Sequence, residues 1–349
     1  MRMAWMAAWV LLAGVAPAQE GRAQPVLDPA AVPALDAAGR AAYSEWLLSG
    51  TPRAFAVGSN GKMGWYSGWY QGAKTVEEAG RRAVQLCTDH GGTDCRPYAE
   101  DLSIVWPGRE WHPAAPPGPL VDTINYGFVP DQHFLWHGPA AARGVVVWAI
   151  GSQANVDLRG LQPPPYVRAF NDAGFDVIRF DRAPAVDTAI RAAGWLRDEL
   201  PVLRRSGYRM VVVAGDSRGA WTSLQMLDTA GLADVVIAIV PAAQGSGASV
   251  NLSAQDDDLR ALMVDAQPSR TRVAIAQFTG DTFMSDADTR AQLFQRLKAK
   301  EGALLVIDRP PGLNGHAGGI SSTFSLRYGP CLLQFATAAT PPSVCGDSE

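Results

Sequence analysis

The chain of 349 residues predicts an α/β protein: a mostly parallel sheet with helices on both faces, preceded by a small α+β module. Three observations carry that expectation. Short, unbroken apolar runs rich in Val and Ile recur between segments with helical start and stop signals, the pattern of strands covered on both faces. The composition, 47% hydrophobic and 18% charged, supplies a large core. A Pro/Gly linker over residues 113–119 then separates this alternation from an upstream cysteine-containing stretch of different texture.

In chain order, residues 1–18 read as a secretory signal: a basic start (Met1-Arg2-Met3), an apolar run over 4–15, and Ala16-Pro17-Ala18 with cleavage expected after Ala18. The run is short of the ~20 residues a spanning helix needs. Residues 19–40 read as a flexible lead-in rich in Pro, Ala and Gly. The module follows over 41–110, with a strand at 53–57, an aromatic strand pair across 64–72, and a helix at 76–87 with Thr75 as N-cap and Glu78 three residues on. A last strand is expected at 102–106. The four aromatics Trp65, Tyr66, Trp69 and Tyr70 fit either the core of a domain short of aliphatics or a stacking platform for sugar rings.

The second domain, 120–349, begins its regular alternation with a strand at 144–150. A helix at 165–173 has proline first and Gly174 just past its end. Next come a strand at 176–180, a helix at 188–200 stopped or kinked by Pro201, a strand at 210–214, a helix at 221–229 and a strand at 235–240. Residues 242–270 read as a short cap over the ligand site. A strand at 273–278, a helix at 288–300, a strand at 303–307 and a helix at 330–338 complete the order. Ligands of such sheets bind at the carboxyl ends of the strands.

A net charge of −4 and a pI near 5.8 give no electrostatic reason to expect nucleic acid or anionic lipid as a partner. The four cysteines form two well-separated close pairs, and loop-closure entropy favours Cys87 with Cys95 and Cys331 with Cys345. Zinc would want closer spacings. His133 and His137 are four apart but lack the glutamate of a zinc hydrolase, and Phe134, Leu135 and Trp136 between them suggest an early strand. Asp256, Asp257 and Asp258 lack the spacing of a calcium loop. Gly61-Lys62 is followed by Met63 where a phosphate loop needs Ser or Thr. No metal and no organic cofactor is expected.

One motif concentrates chemistry. Gly215-Asp216-Ser217-Arg218-Gly219 follows an apolar strand and precedes a helix, the context in which two glycines permit a tight turn that projects the serine hydroxyl. One histidine, His316, lies downstream, after the last expected strand. Asp281, Asp286 and Asp288 follow the strand before it. On these residues the chain, over about 120–338, resembles the α/β-hydrolase superfamily. The early module resembles small cysteine-clipped modules of unknown function in exported bacterial proteins.

The hydrolase resemblance implies Ser217 as nucleophile, His316 as base and an orienting acid, for which Asp281 fits best and Asp286 stays open, with Asp288 expected to cap the next helix. It further implies an oxyanion hole from the Arg218 amide and one in the loop after Ile150, at Ser152 or Gln153. The Arg218 side chain could bind a substrate carboxylate or pair with a neighbouring helix. The expected protein is therefore a periplasmic or secreted serine hydrolase of carboxylesterase type. Its partner would be a small acyl substrate, with no membrane span after signal removal and the oligomeric state open. Peptidase, acyltransferase and non-catalytic envelope binding are the alternatives.

Overall fold

The computed structural model describes residues 24–153, 156–243 and 251–345; the expected signal, 1–18, lies outside the described residues. From residue 24 the expected lead-in is folded. Proline-led turns at Pro25–Leu27 and Pro29–Ala31 precede α1 (Ala37–Leu47), capped by Asp36, which accepts from the Gly39 amide at 2.8 Å. The reason is apolar: Val26, Val32 and Leu35 are buried with Tyr43 and Trp46, and the Tyr43 hydroxyl donates to the Val26 carbonyl at 2.8 Å.

Next come β1 (Arg53–Val57), β2 (Met63–Ser67), α2 (Gly68–Gln71), α3 (Val76–Asp89), β3 (Arg96–Glu100) and β4 (Ser103–Ile104). The antiparallel sheet has the order β2-β1-β3-β4. Cys87 and Cys95 are bridged, tying the end of α3 to the segment before β3. α3 lies on the sheet through Ala79 and Ala83 against Ala54 and Ala56, and Thr75 caps it by accepting from the Glu78 amide at 3.2 Å.

The expected strand pair across 64–72 is instead β2 and one helical turn, ended by Gly72 at φ 86°. Trp65 and Tyr66 consequently pack on opposite faces of the strand and form no common platform. β3 escaped the pattern because Arg96 and Pro97 open it, and the strand expected at 102–106 shrinks to Ser103–Ile104. Arg53 is buried, its guanidinium donating to the carbonyls of Trp46, Leu47 and Ser49, and so satisfies the end of α1.

The second sheet comprises β5 (Val121–Asp122), β6 (Tyr126–Pro130), β7 (Gly144–Ala149), β8 (Phe175–Arg182), β9 (Val211–Asp216), β10 (Val235–Ile239), β11 (Arg272–Gln277) and β12 (Ala303–Asp308). Its order is β12-β11-β10-β9-β7-β8-β6-β5, and β6 runs antiparallel to both neighbours while the β7-to-β12 ladder is parallel. The helices are α4 (Arg168–Asp172), α5 (Ala189–Arg205), α6 (Arg218–Leu224), α7 (Leu252–Asp265), α8 (Ala287–Gln295) and α9 (Ser322–Thr337).

Alternation within each strand makes two cores. Val145, Val147 and Ala149 face the layer of α5, α6, α7 and α8; Val146, Trp148 and Ile150 face α4 and α9. This eight-stranded, mostly parallel sheet with helices on both faces is the expected α/β-hydrolase fold. Among the described residues no helix is long and apolar enough to cross a membrane.

Several boundaries differ from expectation. The HFLWH segment is loop, and the early strand is β6; Asn171 holds that loop by accepting from the Leu135 amide at 2.9 Å and donating to its carbonyl at 2.8 Å. Pro201 lies inside α5, because Leu196, Leu200 and Leu203 anchor the helix on both sides of it. α9 begins at Ser322 and carries Pro330 within it, held by buried Phe324, Tyr328, Leu332 and Phe335. α8 is capped by Asp286, not Asp288: the Asp286 carboxylate accepts from the amides of Asp288 and Thr289 at 3.3 and 3.0 Å.

Candidate active site

At the end of β9 the chain turns directly into α6, and Ser217 occupies the corner at φ 51°, ψ −118°. Such a conformation costs a non-glycine residue about 1–3 kcal/mol and persists only where neighbours hold it. Here the Ser217 amide donates to the Ile239 carbonyl at 3.0 Å, and the Ser217 carbonyl accepts from Ala242 at 3.2 Å. The flanking glycines are sterically required. A Cβ on Gly219 would stand 1.9 Å from the Ala149 carbonyl oxygen, and one on Gly215 2.5 Å from the Gly219 carbonyl carbon.

Asp281 and His316 meet because the sheet extends beyond its regular strands. Thr279, past β11, forms a parallel bridge with Asn314, past β12, and the Gly315 amide donates to the Thr279 carbonyl at 2.8 Å. Gly315 takes φ 72° to make that turn. The residues following each half of the bridge are thereby adjacent. His316 Nδ1 lies 2.9 and 3.0 Å from the two Asp281 oxygens. The Asp281 side chain is fully buried and also accepts from the Phe283 amide at 2.8 Å, while the Phe283 ring packs on the imidazole at 4.4 Å between centroids. Asp286 and Asp288 are occupied elsewhere, the first as a helix cap and the second in an ion pair with Arg309 at 2.6 Å.

Ser217 and His316 line one cavity of about 350 Å³, within the range of small-molecule sites. Gly151, Ser152 and Gln153 of the loop after β7 line it too, and that loop is braced by Arg182, which donates to the Ile150 carbonyl at 2.6 Å and pairs with Asp187 at 3.0 Å. Arg218 opens α6, but its side chain does not line this cavity; it is partly buried, lies near Asp187 and Arg182, and burial lowers its pKa.

Three features escaped the sequence reading. Asp216 lines the cavity beside Ser217, and burial pushes its carboxyl up to about 6 despite the neighbouring His316 and the Gly151 amide. Its place inside the motif was the available signal. The expected cap, 242–270, contributes nothing to the cavity wall among the described residues: Leu259 and Met263 of α7 pack with Leu293 and Leu297 in the helix layer. The wall instead comes from Leu158, Leu161 and Gln162, from Phe283 and Ile320, and from Trp69 of the N-terminal module.

The remaining candidates separate. His133 Nδ1 lies 2.8 Å from Asp131, which also pairs with Arg179 at 2.6 Å, whereas His137 donates its amide to Asp176 at 2.6 Å. Asp257 pairs with Arg260 at 2.6 Å along α7. Among the described residues no group of three or more His, Cys, Asp or Glu could hold a metal. The second expected disulfide, Cys331 with Cys345, is formed and fastens the chain end to α9.

No protein-family model and no curated protein matches the chain. Among solved structures it is similar to Est1E from Butyrivibrio proteoclasticus, at 12% identity over 62% of this chain and 98% of that one, with a TM-score of 0.43. It is also similar to Thermogutta terrifontis esterase 2, at 14% identity over 61% and 89% with a TM-score of 0.43. The Pyrococcus furiosus esterase Pf2001 matches at 14% identity over 61% and 87%, with a TM-score of 0.39.

Proposed function

We propose that this chain is an exported serine hydrolase that cleaves an ester or related acyl bond through an acyl-enzyme. The observation that carries the reading is the convergence at one cavity: a strained serine and a histidine whose Nδ1 is 2.9 Å from a buried carboxylate. Asp281 holds the proton on Nδ1 and so leaves Nε2 as the base. His316 takes the Ser217 proton as Oγ attacks the acyl carbon, and returns it to the leaving oxygen when the tetrahedral intermediate collapses.

The backbone amides of Arg218 and Ser152 stabilise the oxyanion, a contribution worth about 3 kcal/mol per donor in such sites. Water, deprotonated by the same imidazole, then frees Ser217. Two short-loop disulfides and the signal-like start at 1–18 support an oxidising, extracytoplasmic location.

A fluorophosphonate probe tests the serine directly. Wild-type protein is expected to label and Ser217→Ala not to; equal labelling of the two would dispose of the reading.

A further inference from the structure

The mechanism above draws only on the larger domain, yet part of the cavity wall belongs to the N-terminal module. Trp69 leaves the one-turn helix α2 and stands at the cavity with Trp148, Phe283 and Ile320. Its Nε1–H donates to the Ile320 carbonyl at 3.0 Å across 251 positions of sequence, so the indole is tied to the segment that follows His316. From behind, backbone fixes it: a Cβ on Gly50 would stand 2.7 Å from the Trp69 Cβ and 2.9 Å from its Cγ.

A second tie reaches another residue of the cavity lining, Gln162. With its amide oriented to satisfy both neighbours, Gln162 donates to the Thr51 carbonyl and lies 3.1 Å from its hydroxyl, while its oxygen accepts from Arg168 at 3.0 Å. The module is thus tied to the cavity lining at two places, the loop after β7 and the loop after β12.

We propose that the N-terminal module is part of the substrate site, and that Trp69 is a specificity-determining residue selecting compact, uncharged aryl acyl groups. The inference rests on the serine-hydrolase reading and deepens it. Rings of Trp69, Trp148 and Phe283, with the aliphatic Leu158 and Leu161, make much of the cavity lining apolar, and Ser217, His316 and Asp216 supply polar groups to the same lining. Aromatic faces suit a flat ring by stacking. The Asp216 carboxyl disfavours a substrate carrying its own negative charge near the scissile bond. The Trp69 indole takes up part of the lining of this cavity of about 350 Å³, so truncating it enlarges the space open to branched, bulky acyl groups.

The test is steady-state kinetics on the full mature chain with p-nitrophenyl acetate, benzoate and diphenylacetate. Wild type is expected to prefer benzoate. In Trp69→Ala the KM for benzoate rises about tenfold, and the benzoate-to-diphenylacetate ratio of kcat/KM falls by about the same factor, the scale of discrimination an apolar pocket provides. Trp69→Phe, which keeps a ring, recovers most of the benzoate KM. An equal loss on all three esters, or unchanged ratios, overturns the proposal, because a merely structural tryptophan would lower activity without re-ranking acyl groups. Should Trp69→Ala fail to fold, Trp69→Phe and Trp69→Leu carry the same comparison of ratios. Failure of the serine reading is seen separately, as fluorophosphonate labelling that survives Ser217→Ala.

Discussion

Gly219→Ala adds a single carbon, and the structure says where it goes. The new Cβ would lie 1.9 Å from the Ala149 oxygen, 2.5 Å from the Ala149 carbonyl carbon and 2.7 Å from the Ile150 oxygen. All three are backbone atoms at the exit of β7, so no side chain can swing away. Either α6 backs off β7 or the β7 exit is displaced, and both move the loop carrying Ser152 relative to Ser217. Overpacking a tight core costs about 1–3 kcal/mol. With only backbone to yield, a loss at the upper end, about 3 kcal/mol, is expected.

The matched control is Gly194→Ala in α5, where nothing lies within 4 Å and alanine gains about 1 kcal/mol of helix propensity. Urea denaturation measures both variants, and fluorophosphonate labelling measures the elbow. The expected outcome is opposite signs in stability, with labelling lost in Gly219→Ala alone. Wild-type stability together with wild-type labelling in Gly219→Ala would refute the steric account of the motif.

Two further outcomes follow from named contacts. Asp281→Asn presents an amide to His316 Nδ1 and favours the wrong tautomer, so kcat on p-nitrophenyl benzoate should drop by about 10⁴ with the fold retained; a loss below tenfold would remove Asp281 from its assigned role. Asp216→Asn tests a buried carboxyl. Raised from 3.8 to about 6, Asp216 keeps its proton in the folded chain where the unfolded chain has lost it, so its contribution to stability falls as pH rises through that window. The asparagine variant cannot ionise and should be more stable by about 3 kcal/mol at pH 8, with the gap closing near pH 4 in urea titrations. Equal stability of the two proteins at both pH values would contradict the burial argument.

The sequence alone was enough for what depends on neighbours along the chain. Runs of Val and Ile marked β7, β9, β10 and β11, Thr75 marked the start of α3, and the glycines on either side of Ser217 marked the elbow. Strand and helix periods, turn chemistry and loop-closure entropy act over a few residues, so the letters expose them.

Only the tertiary structure showed which of Asp281, Asp286 and Asp288 stands beside His316, because that depends on the Thr279–Asn314 bridge that brings the exits of β11 and β12 together. Helix ends around prolines behaved likewise: Pro201 and Pro330 stay inside α5 and α9 because leucine and aromatic anchors on the sheet outweigh a lost backbone bond. The cavity wall was least visible of all. Trp69 and Ile320 meet across 251 positions, and Thr51 and Gln162 across 111, by the docking of one sheet system against another. Such convergence is a property of side-chain packing between distant segments, and no local periodicity encodes it.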